Sequence, residues 1–360
     1  MRECNDFSEE YFKGLNYLLN EQPDKAIEIF IHMVEADSET VETHFALASL
    51  FVKRGEVDRA IRIHQNLIAR PTLRREQRNK ALYELGTDYM RAGLLDRAEN
   101  LFLELVNDNN YGKAAMRQLL LIFQQEKEWD QAIEISQRLL AQGDRQMRAL
   151  IAQYYCELSE KHWRKGNRND AQKLLKRALS EDKNCVRASL LEAEYNLQDG
   201  KAKVALRALF RVQNQDADYQ SEIIRPLRQC YEELGQPGEM IGYLESVLER
   251  HHAISITLEL IDLIRRQQGE QAAIDYMTDY LRQHPSVRGV ARLIDMKLNH
   301  LDKVSGEDLS IVYEMISQIA EQKPVYQCNN CGFTGKHLHW QCPSCKEWST
   351  VKPIQGVEGE

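Results

Sequence analysis

DKAIEIF, Asp24 to Phe30, returns along the chain with the same kinds of side chain at the same places, and Ala26 serves as its reference position. The copies are DRAIRIH about Ala60, DRAENLF about Ala98, DQAIEIS about Ala132, NDAQKLL about Ala171 and KVALRAL about Ala205. Weaker copies are GEMIGYL about Met240 and QAAIDYM about Ala273. Successive steps are 34, 38, 34, 39, 34, 35 and 33 residues. A fixed period of this size means a stack of supersecondary units, none of which can bury its apolar face alone.

Each unit reads as two helices. Five residues before the reference position stands a glycine in five copies: Gly55, Gly93, Gly166, Gly200 and Gly235. That is a helix stop signal between the two helices. The small alanine lets the second helix approach the first. Four residues on, most copies carry a larger apolar side chain, such as Phe30, Phe102 or Leu175. In the first helix Gly14 and Gly86 permit close packing, and Tyr17, Phe51, Tyr89, Phe123 and Tyr231 hold equivalent places beyond. Met33, Leu67, Leu105, Leu139 and Ala178 continue the apolar face, and a stripe of this period reads as core. A 34-residue helix–turn–helix period resembles the tetratricopeptide (TPR) family over residues 7–285, about eight units. The resemblance implies a right-handed superhelix with a concave surface for peptides or partner proteins. The longer steps carry inserts at Arg70–Asn79, which is basic, and at Gly143–Arg148. They read as solvated loops, with an anionic contact at a lipid surface or acidic partner as the functional alternative.

A second stretch, CNNCGFTGKHLHWQCPSC from Cys328 to Cys345, holds four of the eight cysteines as two C-x-x-C pairs ten residues apart. Each pair forms a knuckle, with Gly332 suited to a turn position of positive φ and Pro343 stiffening the second turn. Cys328, Cys331, Cys342 and Cys345 together make an S4 site for one Zn²⁺ or one iron. Two disulfides or free thiols are the alternative. Four protein ligands leave no open position for water, the pattern of a structural metal; iron in such a site can also carry one electron. About 30 residues around it are too few for a core of their own, so the metal would fold them. His337 and His339 read as surface or packing residues, although they could be spare ligands. Trp340, Trp348, Phe333 and Tyr326 read as a small apolar wall around the knuckles, or else as a ligand-facing patch.

The chain has 360 residues, 43% apolar and 28% charged, with a net charge of −8. There is no global pull toward nucleic acid, and none is expected as a partner. Cys4, Cys156, Cys185 and Cys230 are scattered, which with a metal-type cluster fits a reducing compartment. No apolar run reaches the ~18 residues of a membrane span, and MRECNDFSEEYFKG at the start has no signal-peptide pattern. Residues 286–322 read as a capping helix pair, the second starting at Asp308. Residues 324–353 read as the metal module, tied by a short link and therefore expected to dock on the last repeats or fold back into the groove; TVKPIQGVEGE is expected to fray. No P-loop, dinucleotide fingerprint, nucleophile elbow or H-E-x-x-H occurs. His64 and the His251–His252 pair read as surface residues. The fold class is thus all-α: a TPR superhelical solenoid with a small C-terminal rubredoxin-like Cys4 knuckle domain. No catalytic residue is expected, and no enzyme.

The order of parts narrows the match. A TPR array followed by C-x-x-C-G-F-T and then W-x-C-P-S-C-x-x-W-S-T-x-K-P-I resembles the lipopolysaccharide assembly protein B family over essentially the whole chain. GEVDRAIRIHQNL, Gly55 to Leu67, and YYCEL, Tyr154 to Leu158, strengthen it. What the resemblance implies is a bacterial inner-membrane protein with one N-terminal membrane helix and a cytoplasmic body. As adaptor, it would bring the deacetylase that commits precursor to lipid A to the membrane-anchored AAA+ protease FtsH. It would also be linked to an inner-membrane regulator that senses lipopolysaccharide, with lipopolysaccharide itself a further candidate ligand. The metal ligands carry over as Cys328, Cys331, Cys342 and Cys345. This chain lacks the membrane helix, which is expected to have been removed with Met1 a new start. The knuckles also lie closer together than in true rubredoxins, and Lys346 rather than glycine follows Cys345. Two readings follow: an adaptor, and an electron-transfer protein or generic TPR module with an iron Cys4 site. Zinc and iron are not separated by ligand type, and the oligomeric state, a homodimer included, is left open.

Overall fold

A computed structural model describes residues 10–17, 20, 22–36, 41–298, 303–357 and 359. Cys4 and the first residues of the expected array lie outside them. The chain divides into two units, Met1–Met147 and Arg148–Glu360.

In the first unit residues 10–17 are helical. They are followed by α1 (Pro23–Ala36), α2 (Val41–Lys53), α3 (Val57–Ile68), α4 (Arg75–Arg91), α5 (Leu95–Leu105), α6 (Gly112–Glu126) and α7 (Trp129–Ala141). The reference alanines Ala26, Ala60, Ala98 and Ala132 are wholly buried, as are Phe30 and Phe102 four residues on. The close approach in the first helix is literal. A Cβ on Gly86 would stand 2.8 Å from the ring of Phe102, and one on Gly14 would stand 2.7 Å from that of Phe30. Turn glycines such as Gly93 have positive φ, +73°, with nothing near an added Cβ, so it is the backbone that asks for glycine. The copy without a glycine keeps the same turn: Lys127, five residues before Ala132, takes φ +60°.

The insert at Arg70–Asn79 is not a plain loop. Its second half is the start of α4, Arg78 donates to the Ile68 carbonyl (3.2 Å) and Asn79 to Asp108 (2.6 Å). The other insert is likewise tied, through Arg117 and Asp144 at 3.0 Å. His64 is also corrected. It takes the place held by phenylalanine in other copies, is 2% exposed, and pairs through Nδ1 with buried Asp88 Oδ2 at 2.8 Å. The repeat frame places that position in the core whatever residue fills it.

The second unit continues with α8 (Met147–Arg164), α9 (Arg168–Glu181), α10 (Val186–Gln198), α11 (Ala202–Gln215), a 3₁₀ turn (Ala217–Tyr219), α12 (Gln220–Leu234), α13 (Pro237–Leu248), α14 (Ile254–Gln268), α15 (Glu270–Gln283), α16 (Val287–Leu298) and α17 (Lys303–Gln322). Ala171, Ala205, Met240 and Ala273 sit in its core with Leu209, Leu227 and Leu260. His251 is half-buried and His252 exposed. The last helix begins at Lys303, ahead of the expected Asp308. It ends before a three-stranded antiparallel sheet in the order β2-β1-β3, made of β1 (Tyr326–Cys328), β2 (Thr334–Gly335) and β3 (Val351–Pro353). Among its described residues the tail is therefore not frayed as expected; Glu358 and Glu360 lie outside them. Val351 is buried opposite Cys328, and the Val357 carbonyl accepts from Val287 N–H at 3.0 Å. Among the described residues no helix is long and apolar enough to cross a membrane.

Candidate metal centre

The two C-x-x-C pairs fold into matching turns. In the first, the Gly332 N–H returns to the Cys328 carbonyl (2.9 Å) and the Cys328 N–H donates to the Phe333 carbonyl (2.7 Å). In the second, the Lys346 N–H returns to the Cys342 carbonyl (3.0 Å) and the Cys342 N–H donates to the Glu347 carbonyl (2.8 Å). The residue after each second cysteine has positive φ: Gly332 at +78° and Lys346 at +62°. Lysine there departs from the glycine that such a turn favours, yet the turn is the same.

These turns bring the four sulfurs within 4.8 Å of one another. Cys328 and Cys345 are 3.8 Å apart, and Cys331 and Cys342 3.6 Å. A tetrahedron with metal–sulfur bonds of about 2.3 Å has edges of about 3.8 Å, so the donor set fits one thiophilic ion. Burial works against the Cys328 thiolate, but the Thr350 hydroxyl and the N–H groups of Cys331 and Asn330 outweigh it and bring the thiol down to about 6. Burial pushes Cys342 up to about 11, opposed by the N–H groups of Cys345 and Ser344. The Asn330 side chain and the Glu347 N–H lower Cys345. Neither histidine joins the cluster among the described residues. His337 is exposed, and His339 packs edge-on against Phe333 at 6.0 Å.

The aromatic wall divides. Tyr326 and Phe333 stay with the knuckles, around the small core of Cys328, Cys342 and Val351. Trp340 and Trp348 face the helices instead. Trp340 stacks on Tyr219 at 5.4 Å, and Trp348 meets Tyr154 edge-on at 6.0 Å with Arg187 over its face at 5.8 Å. Arg187 is only 4% exposed and reaches Glu157 (2.8 Å) and Glu160 (2.5 Å). Polar contacts complete the seam. Tyr219 donates to the Val351 carbonyl (3.0 Å), Tyr326 to Glu222 (2.7 Å) and Gln153 to Ser349 (3.0 Å). Lys352 lies between Asp216 (2.8 Å) and Asp218 (2.7 Å). Burial disfavours its charge, but the two carboxylates outweigh that and raise its pKa. The module thus folds back onto α8, α10, the 3₁₀ turn and α12.

Sequence reasoning did not find Tyr219, Arg187, Asp216, Asp218 or Glu222 as partners of the module. They lie more than a hundred residues from Ser349–Lys352 in the chain, and no periodicity marks them. Beneath the seam Cys156 and Cys185 bring their sulfurs to 3.9 Å in the core, and burial raises the Cys156 thiol.

Comparison with known proteins agrees with this organisation. A family model described as a rubredoxin metal binding domain matches residues 326–353, and tetratricopeptide repeat models match 43–78 and 156–218. Lipopolysaccharide assembly protein B of Escherichia coli strain K12 is 40% identical over 358 residues, covering 99% of this chain and 92% of that protein. The protein of the same name from Haemophilus influenzae is 35% identical over 363 residues, 98% of this chain and 91% of its own length. Among solved structures, that of MamA aligns at 21% identity over 49% of this chain and 92% of its own, with a TM-score of 0.37.

Proposed function

The chain belongs to the lipopolysaccharide assembly protein B family, and from that premise we propose that it is a non-enzymatic adaptor in lipopolysaccharide assembly. Residues 7–285 form the array that holds partners, 286–322 cap it, and 324–353 form a module closed by one Zn or Fe ion on Cys328, Cys331, Cys342 and Cys345. The finer proposal is that it brings a lipid A-committing deacetylase to a membrane-anchored AAA+ protease of the FtsH type. This happens at the cytoplasmic side of a bacterial inner membrane and answers to an inner-membrane regulator that senses lipopolysaccharide.

The observation that carries this reading is the seam. Trp340, Trp348, Tyr326 and Lys352 fasten the module to repeat helices, so the ion stiffens a binding body rather than forming a separate centre. The experiment is capture from cells with a membrane helix placed upstream of Met1. Deacetylase and protease co-purify with the wild type and fade with Cys342→Ser. Capture of both at wild-type levels by Cys342→Ser makes the module dispensable; capture of neither by the wild type removes the proposed partners.

A further inference from the structure

Beside the seam the second unit encloses a polar cavity of ≈ 210 Å³ that neither the knuckles nor the repeat core uses. Its walls are the start of α12, the turn that leads into α14, and Gln355 behind β3. Gln220 is 2% exposed and lines it, yet neither Oε1 nor Nε2 of its amide has a partner among the described residues. Ser221 Oγ beside it is in the same state. A buried amide left unmet is costly, so a group that stays so is placed for a ligand.

The opposite wall supplies positive potential. Helix α14 starts there with Ala253 as N-cap, extended and without a side-chain oxygen to cap the helix. The Thr257 N–H, 3.3 Å from the Ala253 carbonyl, closes the first turn, and the start of a helix carries the positive end of its dipole. Arg250, His251 and His252 stand on the same turn and line the same space. The ring of His252 stacks on His284 at 3.9 Å. Asp218, the carboxylate in the described wall, is engaged by Lys352.

We propose that this cavity binds a phosphate-class oxyanion, held by Arg250, the Ser221 hydroxyl and the Gln220 amide beside the start of α14. Because Gln355 forms one wall and Asp218 belongs to the Lys352 clamp, the bound anion also fastens the trailing strand of the module to the repeats. The chemistry is shared by free phosphate and by a phosphomonoester headgroup. Calorimetry of the full chain with inorganic phosphate, and flotation with phosphatidylcholine vesicles with and without phosphatidic acid, separate the two. Wild type and Arg282→Ala bind one probe saturably, and Arg250→Ala and Ser221→Ala bind it about tenfold more weakly. Phosphate binding assigns the free anion, and binding only to vesicles with phosphatidic acid assigns the headgroup. Binding to neither probe, or equal binding by Arg250→Ala, overturns the proposal.

Discussion

At Lys127 the backbone takes φ +60°, the conformation glycine takes at the matching place of five other repeats. A side chain there costs about 1 kcal/mol relative to glycine. Lys127→Gly is therefore expected to raise stability to urea by about 1 kcal/mol. Gly86→Ala lowers it by about 1–3 kcal/mol, because its methyl meets the Phe102 ring in a packed core. Equal, small effects of both would mean that the repeat turns and close approaches are looser than drawn. Asp108 offers a pH test. The Tyr111 N–H holds its carboxyl below the usual range, with help from the Asn110 N–H and the Asn79 side chain and opposition from burial. A lowered folded pKa stabilises above the unfolded value of about 3.9, and that stability fades as pH falls through the folded value. Asp108→Asn is expected to cost roughly 1 kcal/mol at neutral pH, with the gap narrowing below about pH 4 in acid titrations of the urea midpoint. Reference alanines, turn glycines and knuckle cysteines were legible because each answers a local demand of the period or the spacing. His64 was misread because its pair identity, not its position, was taken from sequence; its burial follows from the frame, and Asp88 completes the pair one repeat on.

The seam belongs to the scale of elements. Helix boundaries follow from periodicity, but the choice of α8, α10 and α12 as the module's platform has no local signal. The tail misled for the same reason. Val351 and Lys352 belong to a short, mostly polar terminal stretch in sequence, and they are held in place through Cys328, Tyr219, Asp216 and Asp218. The ion pairs are partly exposed and contribute little each, about 0–1 kcal/mol. Aromatic burial is the larger contribution. Trp340→Ala, removing a half-buried ring from Tyr219, is expected to ease opening of the seam by about 2 kcal/mol. Amide exchange over residues 216–222 then quickens about thirtyfold, with metal content unchanged. Unchanged exchange there would mean that the stack carries no load.

At the scale of the molecule, a metal module of about thirty residues cannot hold itself together by apolar burial, and its four thiols sit at the spacing one ion requires. The family and the fold class were legible because repeat and knuckles occur in one order on one chain. That the short link makes the module dock was legible too, but the helices it docks on were not, because that choice is a product of side chains far apart in sequence. The central claim is that ion, module and repeat helices form one body. Hydrogen exchange read by mass spectrometry on wild type and Cys342→Ser tests it most directly. The expected result is lost protection over residues 326–353 together with residues 153–154 and 216–222, while residues 95–105 keep theirs. Protection lost only over 326–353, with 216–222 at the wild-type level, would contradict the claim and leave the module an appendage.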